Sequence, residues 1–133
     1  MTRTVTVVAC ALINPEGLIL LTQRPAGKAM AGLWEFPGGK IEANESPETA
    51  LCRELWEELH ITVSASDLAP LTFVSHAYDT FQLIMPLYLC RQWKGNIVPQ
   101  ENQETVWIKS SELRDYPMPP ADLPLIPILE SGI

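Results

Sequence analysis

The stretch GGKIEANESPETALCRELWEELHI, residues 38–61, decides the fold. Its middle carries a helix start. Ser46 suits the N-cap, Pro47 the first helical position, and Glu48 the first turn, beside the positive end of the helix dipole. Leu51, Leu55 and Leu59 recur at four-residue steps and supply one buried stripe. The spacing predicts a helix from Pro47 to about Leu59. Glu54, Glu57 and Glu58 stand at i, i+3 and i+4, so all three carboxylates leave one face. Like charges at that spacing destabilise an isolated helix by roughly a few tenths of a kcal/mol per pair. A helix that carries them beside a leucine stripe points to a bound cation, and hard oxygen ligands favour Mg²⁺ or Mn²⁺ over zinc. The bland alternative is a solvated acidic face. Upstream, Gly38-Gly39 lets the backbone approach a ligand closely and can aim a carbonyl at a metal. Glu45 and Arg53 could brace the loop against the helix; alternatively, Arg53 relieves the repulsion among its acidic neighbours.

Working outward, Thr4 to Ile13 and Leu18 to Gln23 are β-rich runs joined by Asn14-Pro15-Glu16-Gly17, which reads as a hairpin. Arg24 to Lys40 holds two Pro and four Gly, so mostly loop is expected there. Leu71–Tyr78 and Phe81–Arg91 read as antiparallel strands around Asp79-Thr80, and Thr105 to Lys109 as a short strand. Ser110 to Leu113 resembles a capped helical turn. Pro124 and Pro127 leave Leu123 to Leu129 ambiguous. With no repeat and no long linker, residues 1–133 are expected to form one domain, an α/β layered sandwich with a mixed sheet between helices.

Composition limits the partners. The chain has 133 residues, 47% of them hydrophobic, with a formal net charge of −7. That length fits one core. No apolar run approaches the roughly 20 residues of a membrane helix, so no membrane association is expected. The acidic balance argues against a nucleic-acid polymer as partner. It leaves room for a small phosphorylated substrate, because a bound metal reverses the local field. Cys10, Cys52 and Cys90, odd in number and set among apolar residues, read as buried free thiols and fit a reducing cytoplasm. Trp34, Trp56, Trp93 and Trp107 read first as packing residues.

Gly39, five residues, Glu45, seven residues, then Arg53-Glu54-Leu55-Trp56-Glu57-Glu58-Leu59-His60-Ile61 resembles the signature of the Nudix hydrolase family. One position departs: His60 stands where the family usually has Gly closing the helix, often in a left-handed conformation. His tolerates that conformation better than most residues, so a local strain cost is expected rather than a lost site. The resemblance extends to MutT-type nucleotide pyrophosphohydrolases through Leu21-Thr22-Gln23-Arg24, Trp34 to Glu42, Glu101-Asn102-Gln103 ahead of Trp107, and Pro119-Pro120-Ala121-Asp122. It implies a Nudix-type α/β/α sandwich and an enzyme that takes Mg²⁺, with Mn²⁺ as a substitute.

By that resemblance Glu54, Glu57, Glu58 and the Gly38 carbonyl are metal ligands. Glu101 is a further ligand from a loop, with Glu104 as its competitor and a solvated loop acid as the alternative. Glu54 is the expected general base positioned by Arg53, with Glu57 beside it in the catalytic set. Arg24 corresponds to a phosphate-contacting arginine, whose fork suits phosphate oxygens. Phe36, Gly39 and Lys40 fall on the substrate side, and His76 and Tyr78 could stack on a base, a role ranked below packing. The implied reaction is hydrolysis of a nucleoside triphosphate to the monophosphate and pyrophosphate by a monomer, a dimer being left open. The leading substrate is 8-oxo-dGTP, removed before it enters DNA.

Asp122 departs from the base-reading Asn of MutT-type enzymes. Ionised Asp only accepts hydrogen bonds, which suits the N1–H and N2–H₂ edge of guanine or the exocyclic amine of cytosine or adenine, and suits the O6 of 8-oxoguanine badly unless the acid is protonated. A CTP or modified-dCTP pyrophosphohydrolase is therefore the runner-up, and a catalytically silent nucleotide-binding module the third reading. A helix N-cap ahead of Leu123-Pro124 is the competing role for Asp122.

Overall fold

The computed structural model describes residues 3–101 and 103–132. Asn102, part of the Glu101-Asn102-Gln103 match, lies outside them. In chain order the elements are β1 (Arg3–Leu12), β2 (Ile19–Gln23), β3 (Trp34–Glu35), β4 (Gly38–Lys40), α1 (Pro47–Leu59), β5 (Leu68–Ala77), β6 (Phe81–Cys90), β7 (Thr105–Ile108) and α2 (Leu125–Glu130). Short 3₁₀ turns occupy Ala65–Asp67, Ser110–Asp115 and Pro120–Asp122.

Four strands form a mixed sheet in the order β4-β1-β6-β5, with β1 and β6 parallel and the other pairs antiparallel. A second, antiparallel sheet has the order β3-β2-β7. The alternation of β1 explains the layering. Val8, Cys10 and Leu12 pack with Ala50, Leu51, Leu55 and Leu59 of α1. Ala9 and Ala11 point the other way, into a core shared with Leu125, Ile126 and Leu129 of α2. Strand residues point alternately to opposite faces, so a strand covered on both sides reads as an unbroken apolar run. The sheets thus lie between helices, as expected for an α/β/α sandwich.

Three local expectations change. The Asn14–Gly17 turn forms, with Asn14 Oδ1 accepting from the Glu16 N–H at 3.1 Å and the Leu18 N–H at 2.8 Å. It does not close a full hairpin: one bridge, Ile13 with Ile19, joins the strands before they part into different sheets. Both edges of β1 are already taken by β4 and β6, so β2 has none to pair with. The expected loop at residues 24–40 contains two short strands, β3 and β4. The ambiguous tail is helical from Leu125, because Pro127 falls in the first turn, where its missing N–H would have no intrahelical partner. Among the described residues no helix is long and apolar enough to cross a membrane.

Candidate active site

Helix α1 starts where its sequence dictates. Ser46 Oγ accepts from the Thr49 N–H at 3.1 Å, Pro47 opens the helix, and Leu51, Leu55 and Leu59 are fully buried. At its C-terminus His60 adopts a left-handed conformation at φ 58°, and its N–H donates to the Trp56 carbonyl at 3.0 Å. Its ring stacks on Trp56, with centroids 4.8 Å apart. The residue that replaces the usual glycine thus keeps the helix stop.

With the leucines turned inward, the acidic face meets β4. A Cβ on Gly39 would stand 2.3 Å from the Glu54 carboxyl carbon, and one on Gly38 would stand 1.9 Å from the Val8 carbonyl oxygen. Glycine at 38 is required by the β1 backbone, whereas a side chain at 39 would displace the Glu54 carboxylate. The Gly38 N–H donates to Glu58 Oε2 at 3.0 Å, tying the helix to the strand.

Arg53 organises the flank and fulfils both roles considered for it. Its Nε and Nη2 donate to Glu45 Oε2 and Oε1 at 2.8 and 2.9 Å, a bidentate fork. Nη2 also reaches the Lys40 carbonyl at 3.1 Å. Nη1 donates to Glu54 Oε1 at 2.8 Å and, more weakly, to Glu57 Oε2 at 3.4 Å. Glu45 Oε1 in turn accepts from the Glu42 N–H at 2.9 Å. The Arg53 hydrogen bond first, and the Glu42 N–H second, hold the Glu45 carboxyl at about 2.

The other two inner carboxyls are shifted the opposite way. Burial is the main cause at Glu58, and the Glu54 charge the next, so that its pKa is pushed up to about 8 against the Gly38 N–H. Burial also raises Glu54, although Arg53 opposes it. These carboxylates are held in partial desolvation with too little positive charge around them. Among the described residues no three His, Cys, Asp or Glu side chains already converge on one point suited to an ion. Glu54 is turned to Arg53 and Glu58 to Gly38 instead. The hard oxygen donors, the glycine cradle and the unfavourable charging of Glu58 together fit a divalent cation, which would reverse that shift.

A cavity of about 580 Å³ runs from this face. Glu54, Glu57, Glu58, Gly38, Gly39 and Lys40 line one end, and Phe36, Tyr78, Phe81, Ala121 and Asp122 line another part. Asp122 is 7% exposed and ends the Pro120–Asp122 turn. It is not a helix cap: α2 begins after Pro124, which has no side-chain cap. Burial above all, then the charge of Glu35, pushes its carboxyl up to about 7, while the Phe36 N–H and Arg24 oppose the shift. Tyr78 lines the cavity, its hydroxyl accepting from the Ala121 N–H at 3.2 Å. His76 does not line it and packs edge-on against Tyr78, centroids 4.6 Å apart.

Arg24 lines the cavity but is already engaged, donating from Nη1 to both Glu35 oxygens at 2.9 and 3.0 Å and from Nε to the Ala29 carbonyl at 2.7 Å. Glu101 lines the same cavity while Glu104 does not, which favours Glu101 for the loop role. Two lining residues, Glu35 and Lys28, escape a reading of the sequence. Glu35 reaches the site through the β2–β3 register, Thr22 opposite Glu35, which no local pattern announces.

Residues 8–127 match the NUDIX domain family. The chain is 40% identical over 121 residues to the CTP pyrophosphohydrolase of Escherichia coli, covering 90% of this chain and 87% of that protein. It is 37% identical over 134 residues to the 8-oxo-dGTP diphosphatase of Haemophilus influenzae, with 95% and 92% covered. A MutT structure from work on Aliivibrio salmonicida and Vibrio cholerae superposes with a TM-score of 0.83 at 32% identity, covering 98% of this chain and all of that one.

Proposed function

The chain belongs to the Nudix hydrolase family, and from that premise we propose that it hydrolyses a nucleoside triphosphate to the monophosphate and pyrophosphate, in a Mg²⁺-dependent reaction. One observation carries the reading: a single cavity is lined by the Glu54–Glu57–Glu58 face and by a buried acid with three aromatic rings, Phe36, Tyr78 and Phe81. A phosphate chain suits the first end and a planar base the second. The three free cysteines suit a reducing cytoplasm.

Glu54, Glu57 and Glu58, with the Gly38 carbonyl and Glu101, are the groups that would hold the cation. When bound, it would neutralise phosphoryl oxygens and acidify a water. Glu54 accepts the proton of the attacking water as general base. Arg53 fixes the Glu54 carboxylate through Nη1 while its fork on Glu45 holds the guanidinium in place. The bond between the α and β phosphates breaks, the water supplies oxygen to one product, and pyrophosphate leaves.

For the base, the acceptor oxygens of Asp122 suit the exocyclic amine of a cytosine nucleotide. The 40% identity to a CTP pyrophosphohydrolase supports this reading. Hydrolysis of 8-oxo-dGTP, the sanitising activity that would keep damaged guanine out of DNA, is the second reading. It is favoured by the Asp122 carboxyl titrating at about 7, since its protonated form can donate to O6. Initial rates of pyrophosphate release from CTP, 5-methyl-dCTP and 8-oxo-dGTP separate the two.

A further inference from the structure

We propose that Lys28 is a substrate-positioning residue, holding the phosphate chain midway between the base pocket and the carboxylate face. The inference rests on the nucleoside triphosphate reading and deepens it. The cavity is lined by six acids, Glu35, Glu54, Glu57, Glu58, Glu101 and Asp122. A polyphosphate entering such a field needs cations along its path. Among the described residues, the cations lining the cavity are Arg24, Lys28 and Lys40. Arg24 gives Nη1 to Glu35 and Nε to the Ala29 carbonyl, which leaves Nη2 alone for a phosphate oxygen.

Lys28 is placed differently. Its Nζ lies 3.3 Å from Glu101 Oε2, both side chains being more than half exposed, so the pair joins two loops at the cavity wall at little cost to separate. Both loops have fixed roots. On one side Arg24 exchanges backbone hydrogen bonds with the far end of its loop, donating to the Leu33 carbonyl at 2.8 Å and accepting from the Gly32 N–H at 3.0 Å. On the other, the Val98 and Gln100 N–H groups donate to the Leu59 and Glu58 carbonyls, each at 2.9 Å, which ties the Glu101 loop to the end of α1. Lys28 also acts electrostatically on Glu35, toward the base pocket, while its partner Glu101 acts on Glu58, toward the acidic face. Its ammonium, a compact charge on a flexible stem, can therefore leave Glu101 for a phosphate oxygen without the loop moving.

The test compares wild type, Lys28→Ala and Lys28→Arg in steady-state pyrophosphate release and in calorimetric binding of the non-hydrolysable α,β-methylene-CTP with Mg²⁺. Losing one charge-assisted contact raises KM and the analogue Kd about tenfold in Lys28→Ala, with kcat changed less than about twofold. Lys28→Arg recovers most of the binding, and the melting temperature of both variants stays within about 3 °C of wild type because the exposed ion pair contributes little. An unchanged KM and Kd in Lys28→Ala overturns the role of Lys28 alone. A fall in kcat at unchanged Kd overturns it too. Failure of the wild-type protein to bind both this analogue and its 8-oxo-dGTP counterpart overturns this inference together with the nucleoside triphosphate reading.

Discussion

In the proposed reading substrate choice turns on Asp122, whose buried carboxyl is pushed up to about 7 and changes its hydrogen-bonding character there. Above that pH it is ionised and accepts from the amine of a cytosine nucleotide; below it, it can donate to a carbonyl oxygen. KM for CTP should therefore fall as pH rises from 6 to 8.5, and KM for 8-oxo-dGTP should rise. In Asp122→Asn both trends should vanish, while KM for CTP increases by about tenfold, the value of one lost hydrogen bond to a charged group. Steady-state kinetics across that range check this, and an unaltered profile in the variant would contradict it. His60 is a smaller matter. Replacing it with glycine relieves left-handed strain but loses the stack on Trp56, which is itself 53% exposed. The two effects oppose, so denaturant unfolding of His60→Gly should differ from wild type by less than about 1 kcal/mol.

At the scale of the element, α1 trades its own stability for a site. Its carboxylates repel in the absence of a cation, and Arg53 offsets only part of that. Glu57→Gln is expected to cut kcat by about a hundredfold or more, as loss of a group in the catalytic set does, while the metal-free protein stays as stable or becomes more so. Strong destabilisation of the metal-free variant in urea would mean that the acids are structural. This helix was legible in the sequence from Ser46 to Leu59, because a cap, a first-turn proline and a leucine period are all local signals. The sequence of its partner β4 reads as loop, since Gly38-Gly39 carries turn chemistry and only the close approach of Gly38 to the Val8 carbonyl shows why glycine is needed there. The β1–β2 hairpin failed for a similar reason. A turn is encoded locally, but which sheet edges are free is decided by β4 and β6.

Across the whole molecule, the same physics sets a stability profile. Glu58 at about 8 and Asp122 at about 7 both lie above their ordinary carboxylate values, so between about pH 5 and 8 the folded protein binds more protons than the unfolded chain. Stability of the metal-free protein should fall as pH rises through that window. Glu45, held at about 2, acts oppositely: its contribution is present above the ordinary carboxylate range and is lost as pH falls toward 2. Melting temperatures in EDTA should thus peak near about pH 5 and decline toward 8, and Glu58→Gln should flatten the decline. The family and the layering are legible in the sequence, because they reside in one contiguous motif and in apolar runs. The Arg24–Glu35 pair and the raised pKa of Asp122 are not, because they arise from register and burial. The most direct measurement is product analysis with Mg²⁺ and CTP, 5-methyl-dCTP, 8-oxo-dGTP and the common nucleoside triphosphates, for wild type and Glu54→Gln. The account predicts equal amounts of monophosphate and pyrophosphate, fastest from a cytosine nucleotide, with a loss of about 10²–10⁴-fold in the variant. Release of orthophosphate, or turnover that survives Glu54→Gln, would contradict it.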